Sequence, residues 1–151
     1  MSDNWIILIP EDPRTVPAQK NQEQAVKRLR EIAPQADKIE IEVSERIRFI
    51  DCGQNFEKVR CPKCNEEIEV AWWQEQMNED YDGSDFALKP LTLPCCRAIR
   101  TLNDLIYEWP QGFARFSLQA MNPNLGKLPK DYINSFEAIL SCPIRVIYQH
   151  I

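Results

Sequence analysis

An α+β fold is expected for this chain of 151 residues. Three features predict it. Strand-like and helix-like periodicities alternate at both ends of the chain. Hydrophobic residues make up 44 %, enough for a packed core. Five of the six cysteines fall between Cys52 and Cys96, which marks the middle as a separate unit.

The run Trp5-Ile6-Ile7-Leu8-Ile9, stopped by Pro10, reads as a strand buried on both faces. Pro10, Pro13 and Pro17 then make a stiff loop. From Asn21 to Ala33, the residues Ala25, Val26, Leu29, Ile32 and Ala33 form one helical stripe. Asn21 and Gln24 have capping-box spacing, and Pro34 follows the end. Lys38 to Ile50 alternates, with Ile39, Ile41 and Val43 opposite Glu40 and Glu42, which predicts a half-buried strand that bends at Ser44-Glu45-Arg46.

The C-terminal third is equally regular. Phe113 to Met121 alternates, with Ala114, Phe116, Leu118 and Ala120 on one face. Asn122-Pro123-Asn124-Leu125-Gly126 is turn chemistry. Pro129 suits a first helical position, Ile133, Phe136 and Leu140 make a core-facing stripe, and Ile144 to Ile151 is a last, β-branched strand. The order strand–helix–strand, cysteine-rich module, strand–helix–strand predicts a ferredoxin-like antiparallel sheet covered by two helices. Residues 1–51 and 109–151 would form that α/β sandwich core, with 52–108 inserted between its second and third strands.

Within the insertion, Phe56 to Arg60 and Glu67 to Trp72 flank Cys61-Pro62-Lys63-Cys64 as a hairpin. Trp73 to Asp80 reads as a short helix, Phe86 to Leu93 as a strand broken by Pro90, and Thr101 to Tyr107 as a short helix capped by Thr101. Large apolar residues are sparse here, so the module alone would be marginal.

The cysteines carry the chemistry. With no basic signal-peptide n-region after Met1, a cytoplasmic chain with reduced thiols is expected, and metal takes precedence over disulfides. Two residues between Cys61 and Cys64 let one ion bridge both thiols. Cys95 and Cys96 supply a second pair 31 positions beyond Cys64. The layout resembles a zinc ribbon, in which two hairpin tips hold one tetrahedral Zn²⁺. The resemblance covers about residues 56–102 and implies Cys61, Cys64, Cys95 and Cys96 as metal ligands. A usual second knuckle is C-x-x-C, and here Leu93 stands where its first cysteine would be. Cys52, followed by Gly53, is the alternative fourth ligand if only one of Cys95 and Cys96 reaches the ion.

A longer pattern joins Asp51-Cys52-Gly53-x-Asn55-Phe56, Cys61-Pro62-x-Cys64, Pro94-Cys95-Cys96, Leu102-Asn103-Asp104-Leu105 and Trp109-Pro110-x-Gly112-Phe113-Ala114-Arg115-Phe116. It resembles a group of small, uncharacterised bacterial proteins. That resemblance implies a bacterial cytosolic protein and carries no activity.

Four thiols and a single histidine, His150, favour a structural ion over a catalytic one. Ion binding would contribute on the order of 10 kcal/mol toward folding the module. Enzyme signatures are absent from the sequence: there is no Walker A loop and no G-x-S-x-G elbow. A redox-active Cys61-x-x-Cys64 would need a helix N-terminus where strands are predicted. Asp80, Asp82 and Asp85 outline a calcium loop but lack the Glu at position twelve, which is Leu91. Gly112-Phe113-Ala114-Arg115-Phe116 partly matches an RNA-stacking strand, but its fifth position, counted from Gln111, is Arg115 where an aromatic is needed.

The net charge is −5, and residues 52–108 hold 11 acids against 6 bases. A polyanion-binding surface would need a basic stripe, so nucleic acid is a disfavoured partner, with Arg97 and Arg100 the best basic candidates. No apolar stretch approaches the ~18 residues of a membrane span. Another protein is the expected partner. Trp72, Trp73, Tyr107, Trp109 and Phe113 are the candidate aromatic surface, the alternative being that they plug a thin core. The sequence carries no signal for an oligomeric state.

Overall fold

The computed structural model describes residues 2–151. Its frame is a four-stranded sheet made from both ends of the chain: β1 (Asn4–Pro10), β2 (Lys38–Ile50), β8 (Gly112–Met121) and β9 (Ile144–His150). The order is β2-β8-β1-β9, and every neighbouring pair is antiparallel. Helices α1 (Gln19–Ile32) and α3 (Lys130–Leu140) pack on one face. Their stripes, Ala25 and Leu29 from α1 with Phe136 and Leu140 from α3, meet Ile6, Leu8, Phe116, Leu118 and Ala120 of the sheet. Burying each large apolar side chain there contributes about 1.5–3 kcal/mol. The second face is lined by Ile7, Ile9, Ile50, Ala114 and Ile147, so β1 is buried on both sides as its unbroken apolar run requires.

Several local expectations change. Helix α1 starts at Gln19, and Asn21 lies inside it rather than capping it. Its cap is Ala18, which makes no side-chain bond, while Gln22 reaches back to the Pro17 carbonyl at 2.7 Å. Pro129 caps α3 from outside. Ala114 leaves the face of Phe116 and Leu118: the amide of Arg115 bonds the Pro13 carbonyl at 3.1 Å, and β2 bulges between Val43 and Arg48.

Between β2 and β8 the chain forms two small sheets. The first contains β3 (Lys58–Arg60), β4 (Glu67–Ile68) and β7 (Ile106–Glu108), in the order β4-β3-β7. The second pairs β5 (Leu91–Thr92) with β6 (Ile99–Arg100). Helix α2 begins at Val70 and ends at Asp80, so the expected strand to Trp72 stops at Ile68. The alternation of Ile68, Val70 and Trp72, which suggested strand, specifies little, and the helix formers Ala71, Gln74, Glu75 and Met77 prevail. Of the expected strand Phe86–Leu93 only Leu91–Thr92 forms. Leu88 takes a positive φ of 53°, where the Asp80 carboxylate accepts the amides of Leu88 and Lys89 at 2.8 Å each. The expected helix after Thr101 is a single 3₁₀ turn, Leu102–Asp104, closed by a Thr101/Asp104 capping box.

The core of this segment is not thin. Trp73, Phe86, Leu93, Leu102 and Tyr107 are buried together with Ile47 and Phe113 of the sheet. Phe49 lies 5.1 Å from Phe113 between ring centroids, and Phe56 stacks on Trp73 at 5.3 Å. The segment gains its core by sharing aromatics with β2 and β8, which composition within 52–108 does not reveal. Arg145 adds a polar tie: it pairs with both Glu11 carboxylate oxygens and donates to the carbonyls of Gln111 and Asn103. A side chain at Gly112 would put its Cβ 2.6 Å from the Arg145 Nη1, so a larger residue there would displace the guanidinium.

Candidate metal centre

The sulfurs of Cys61, Cys64, Cys95 and Cys96 all lie within 4.8 Å of one another. Cys61 and Cys96 sulfurs are 3.7 Å apart, and those of Cys95 and Cys96 are 3.9 Å apart. A tetrahedral ion with thiolate bonds of about 2.3 Å requires sulfur separations of about 3.8 Å. These residues therefore fit one tetrahedral ion of the zinc class.

Local backbone builds the site twice. In the first turn the Cys61 amide donates to the Glu66 carbonyl at 2.9 Å, the Asn65 amide donates to the Cys61 carbonyl at 2.9 Å, and Asn65 takes φ 63°. In the second, Leu93 donates to the Ala98 carbonyl at 2.9 Å, Arg97 donates to the Leu93 carbonyl at 3.0 Å, and Arg97 takes φ 61°. The flanking registers agree as well: Val59 opposite Ile68 corresponds to Leu91 opposite Arg100, and Arg60 opposite Glu67 to Thr92 opposite Ile99. The two hairpins are one backbone pattern used twice. The signal was present in the sequence, in the shared proline and following cysteine of Cys61-Pro62-Lys63-Cys64-Asn65 and Leu93-Pro94-Cys95-Cys96-Arg97.

In that alignment Leu93, fully buried, occupies the place of Cys61. Cys95 occupies the place of Lys63, one residue before Cys96, and its thiol reaches the cluster from there. Adjacent cysteines can share one ion because a tight turn, not a straight strand, carries them.

The amides of Lys63 and Cys64 point at the Cys61 sulfur, at 3.3 and 3.4 Å. Burial alone would push that thiol up. The amide donors of Cys64 and Lys63, with the thiols of Cys95 and Cys64, outweigh it and hold Cys61 down at about 6. Burial and the neighbouring thiols push Cys95 up to about 12. Four crowded sulfurs cannot all carry charge by themselves, whereas a divalent cation among them lets each ionise.

The other expected positions sort clearly. Cys52 is not in the cluster: its amide and thiol both donate to Gln111 Oε1, at 3.2 and 3.3 Å, and burial pushes the thiol up to about 11. Gly53 follows it because the chain passes the His150 carbonyl, which an added Cβ would meet at 2.2 Å. Cys142 follows α3, half-buried, and also lies outside the cluster. Asp80, Asp82 and Asp85 each accept backbone amides, those of Leu88 and Lys89, of Ser84 and Asp85, and of Ile47. Among the described residues only the four cysteines form a metal-ligand group.

The expected aromatic surface is mostly interior. Tyr107 and Phe113 are buried, which removes them as docking anchors. Trp73 is buried too, its indole N–H donating to the Tyr107 hydroxyl at 3.1 Å. Phe113 and Phe116 are both fully buried, so neither ring is offered to a base. Trp72 and Trp109 remain half-buried. Trp72 lines a groove of about 310 Å³ with Glu66, Glu67, Glu69, Pro94 and Cys95.

No family model, curated protein or solved structure matches the chain. The resemblances drawn from the motifs therefore rest on the motifs alone. What fold and site show together is an α+β protein with four cysteines clustered within metal-binding distance, an arrangement consistent with a zinc-ribbon-like site. No helix among the described residues is long and apolar enough to cross a membrane.

Proposed function

We propose that this chain is a non-catalytic cytoplasmic protein whose four thiols hold one structural Zn²⁺ and whose cysteine-bearing segment docks another protein, as an adaptor, inhibitor or immunity protein does. The carrying observation is the sulfur cluster with tetrahedral spacing on two matched hairpin tips. All four positions are filled by thiolate donors, so no place remains for a water or substrate, and thiolate charge weakens the Lewis acidity that hydrolysis needs. When bound, the ion cross-links the two tips and stabilises them. We read the frame as ferredoxin-like, on the order β2-β8-β1-β9 with both helices on one face.

The docking surface we favour is the groove at Trp72. Three glutamates and a half-buried indole beside the metal centre suit a basic protein segment, because the acids steer its approach and the indole can take a cationic head. The alternative reading is a nucleic-acid-binding zinc ribbon.

Elemental analysis of untagged protein should find one zinc per chain, and a well-folded metal-free protein would overturn the metal assignment. Affinity capture from a bacterial lysate, repeated with Trp72→Ala, tests the docking surface. The expected result is a captured protein lost on substitution at unchanged melting temperature. Submicromolar RNA or DNA binding that weakens as salt rises would replace the protein-binding reading with the alternative.

A further inference from the structure

A second site lies at the end of the sheet where β1 begins and β9 finishes. A cleft of about 830 Å³ opens there, closed on one side by the loop 122–127 and on another by Trp109. Its volume is that of a small-molecule site. None of its lining residues is acidic, in a chain with 23 acids, and it holds none of the four clustered cysteines.

Half-buried Trp109 and Tyr148 both line it. Trp109 adopts φ 20°, outside the regions a bulky residue favours. Strain of this kind persists where the surroundings fix a side chain in one working position. Tyr148 stands edge-on at 6.5 Å, and Lys127 Nζ lies 5.8 Å above the Trp109 ring.

The polar groups are anchored at one end and free at the other. Asn55 donates its amide to the Tyr148 carbonyl at 2.9 Å, which leaves its oxygen without a partner among the described residues. The Tyr148 hydroxyl accepts the Leu128 amide at 2.8 Å and retains its own proton for donation. A fixed acceptor and a fixed donor beside aromatic faces match the edges of a planar heterocycle. Lys127 forms no salt bridge among the described residues and supplies the only formal positive charge of the lining.

From this arrangement we infer a binding site for a small planar heterocycle carrying an anionic group, of the nucleoside monophosphate class. The base lies against Trp109 and Tyr148, its edge meets Asn55, and the phosphate pairs with Lys127. The inference is independent of the metal centre and of the docking groove.

Calorimetric titration of the full chain with AMP, GMP, CMP and UMP, with adenosine and with inorganic phosphate, tests it. At least one monophosphate should bind saturably at one site per chain, about tenfold more tightly than its nucleoside. Lys127→Ala, at an exposed position, should remove that tenfold at unchanged melting temperature, and Asn55→Ala should weaken nucleoside and nucleotide alike. Absence of saturable binding by all four monophosphates would overturn the site. So would inorganic phosphate binding as well as they do, which leaves an anion site only, or affinities unchanged in both variants. A single-stranded oligoribonucleotide that binds far more tightly, with steep salt dependence, would overturn it in favour of RNA.

Discussion

The hairpin tip at Cys61 and the tip at Leu93 share their strand register, their two turn hydrogen bonds and their left-handed residue, Asn65 in one and Arg97 in the other. They differ in what fills the first position of the turn. At the first tip it is a buried sulfur that receives two amides. At the second it is the side chain of Leu93, sealed in the aromatic core. The same backbone thus carries a clustered thiol in one copy and a packed leucine in the other. The missing thiol is supplied from the third position, where the first copy carries the exposed Lys63. A C-x-x-C spacing rule is therefore stricter than the geometry demands, because the turn brings its third and fourth positions into the same sulfur cluster.

The largest effect expected from breaking the comparison is at Cys61. Cys61→Ser removes a ligand from the only position that is both metal-facing and buried. Metal should be lost, and both tips should open with a loss of several kcal/mol, since ion binding stabilises such sites by on the order of 10 kcal/mol. The shared aromatic core around Trp73 and Phe113 should survive. Hydrogen exchange read by mass spectrometry should accordingly show fast amides at 58–68 and 91–100 and protected ones in β1 and β8. Uniform deprotection of the whole chain would show that the tips and the frame are one cooperative unit.

Next in size is Leu93→Ala. Truncating a fully buried leucine costs about 2–5 kcal/mol, and at about 2–4 °C per kcal/mol for a chain of this length the melting temperature falls visibly. Zinc content should remain one per chain, because no ligand changes. Loss of metal together with stability would mean that packing at Leu93, rather than the turn itself, aims Cys95 and Cys96.

How far these features could be read in the sequence follows from their physical range. Local periodicity fixed the frame: the apolar run at Trp5–Ile9, the alternation from Lys38 and the stripe Ile133, Phe136, Leu140 each specify an element without help from elsewhere. The Cys61–Cys64 pair was likewise legible, since its spacing is a local property, whereas the sharing of Cys95 and Cys96 depends on the turn that carries them. What failed depends on distant partners. Tyr107 and Phe113 looked like surface anchors, yet both are buried in a core assembled with Phe49 and Trp73 from other parts of the chain. Val70 looked like strand because it alternated with Ile68 and Trp72, whereas the helix formers that follow it and the docking of Trp73 inward make helix the better solution. The cleft at Trp109 has no sequence signature at all, because its lining comes from five separate stretches.

The comparison can be sharpened by exchanging the two patterns. Leu93→Cys combined with Cys95→Lys converts the second tip into the residue pattern of the first, and the number of thiols stays at four. If the tips are equivalent, the double variant keeps one zinc per chain with affinity within about tenfold of the parent, measured by competition with a chelator dye. Stability should fall modestly, by about 1–3 kcal/mol, since a thiol fills less of the core than leucine does. A variant that folds but no longer binds zinc would break the equivalence and show that Cys95 has a position the first tip cannot reproduce.

The smallest effect belongs to the cysteine that neither tip uses. Cys142 follows the left-handed cap residue Ser141, and its amide donates to the Glu137 carbonyl at 3.3 Å. Its thiol is half-buried against the helix side of the sheet, where burial and the Glu137 carboxylate push it up from its usual value. It also lies outside the sulfur cluster, so it has no place among the four ligands. Cys142→Ser replaces it with a hydroxyl of similar size. Zinc content should remain at one per chain, and stability should change by no more than about 1 kcal/mol. Zinc loss as large as that in Cys61→Ser would require Cys142 to reach the cluster in solution, and would place the centre between the tips and the end of α3 rather than between the tips alone.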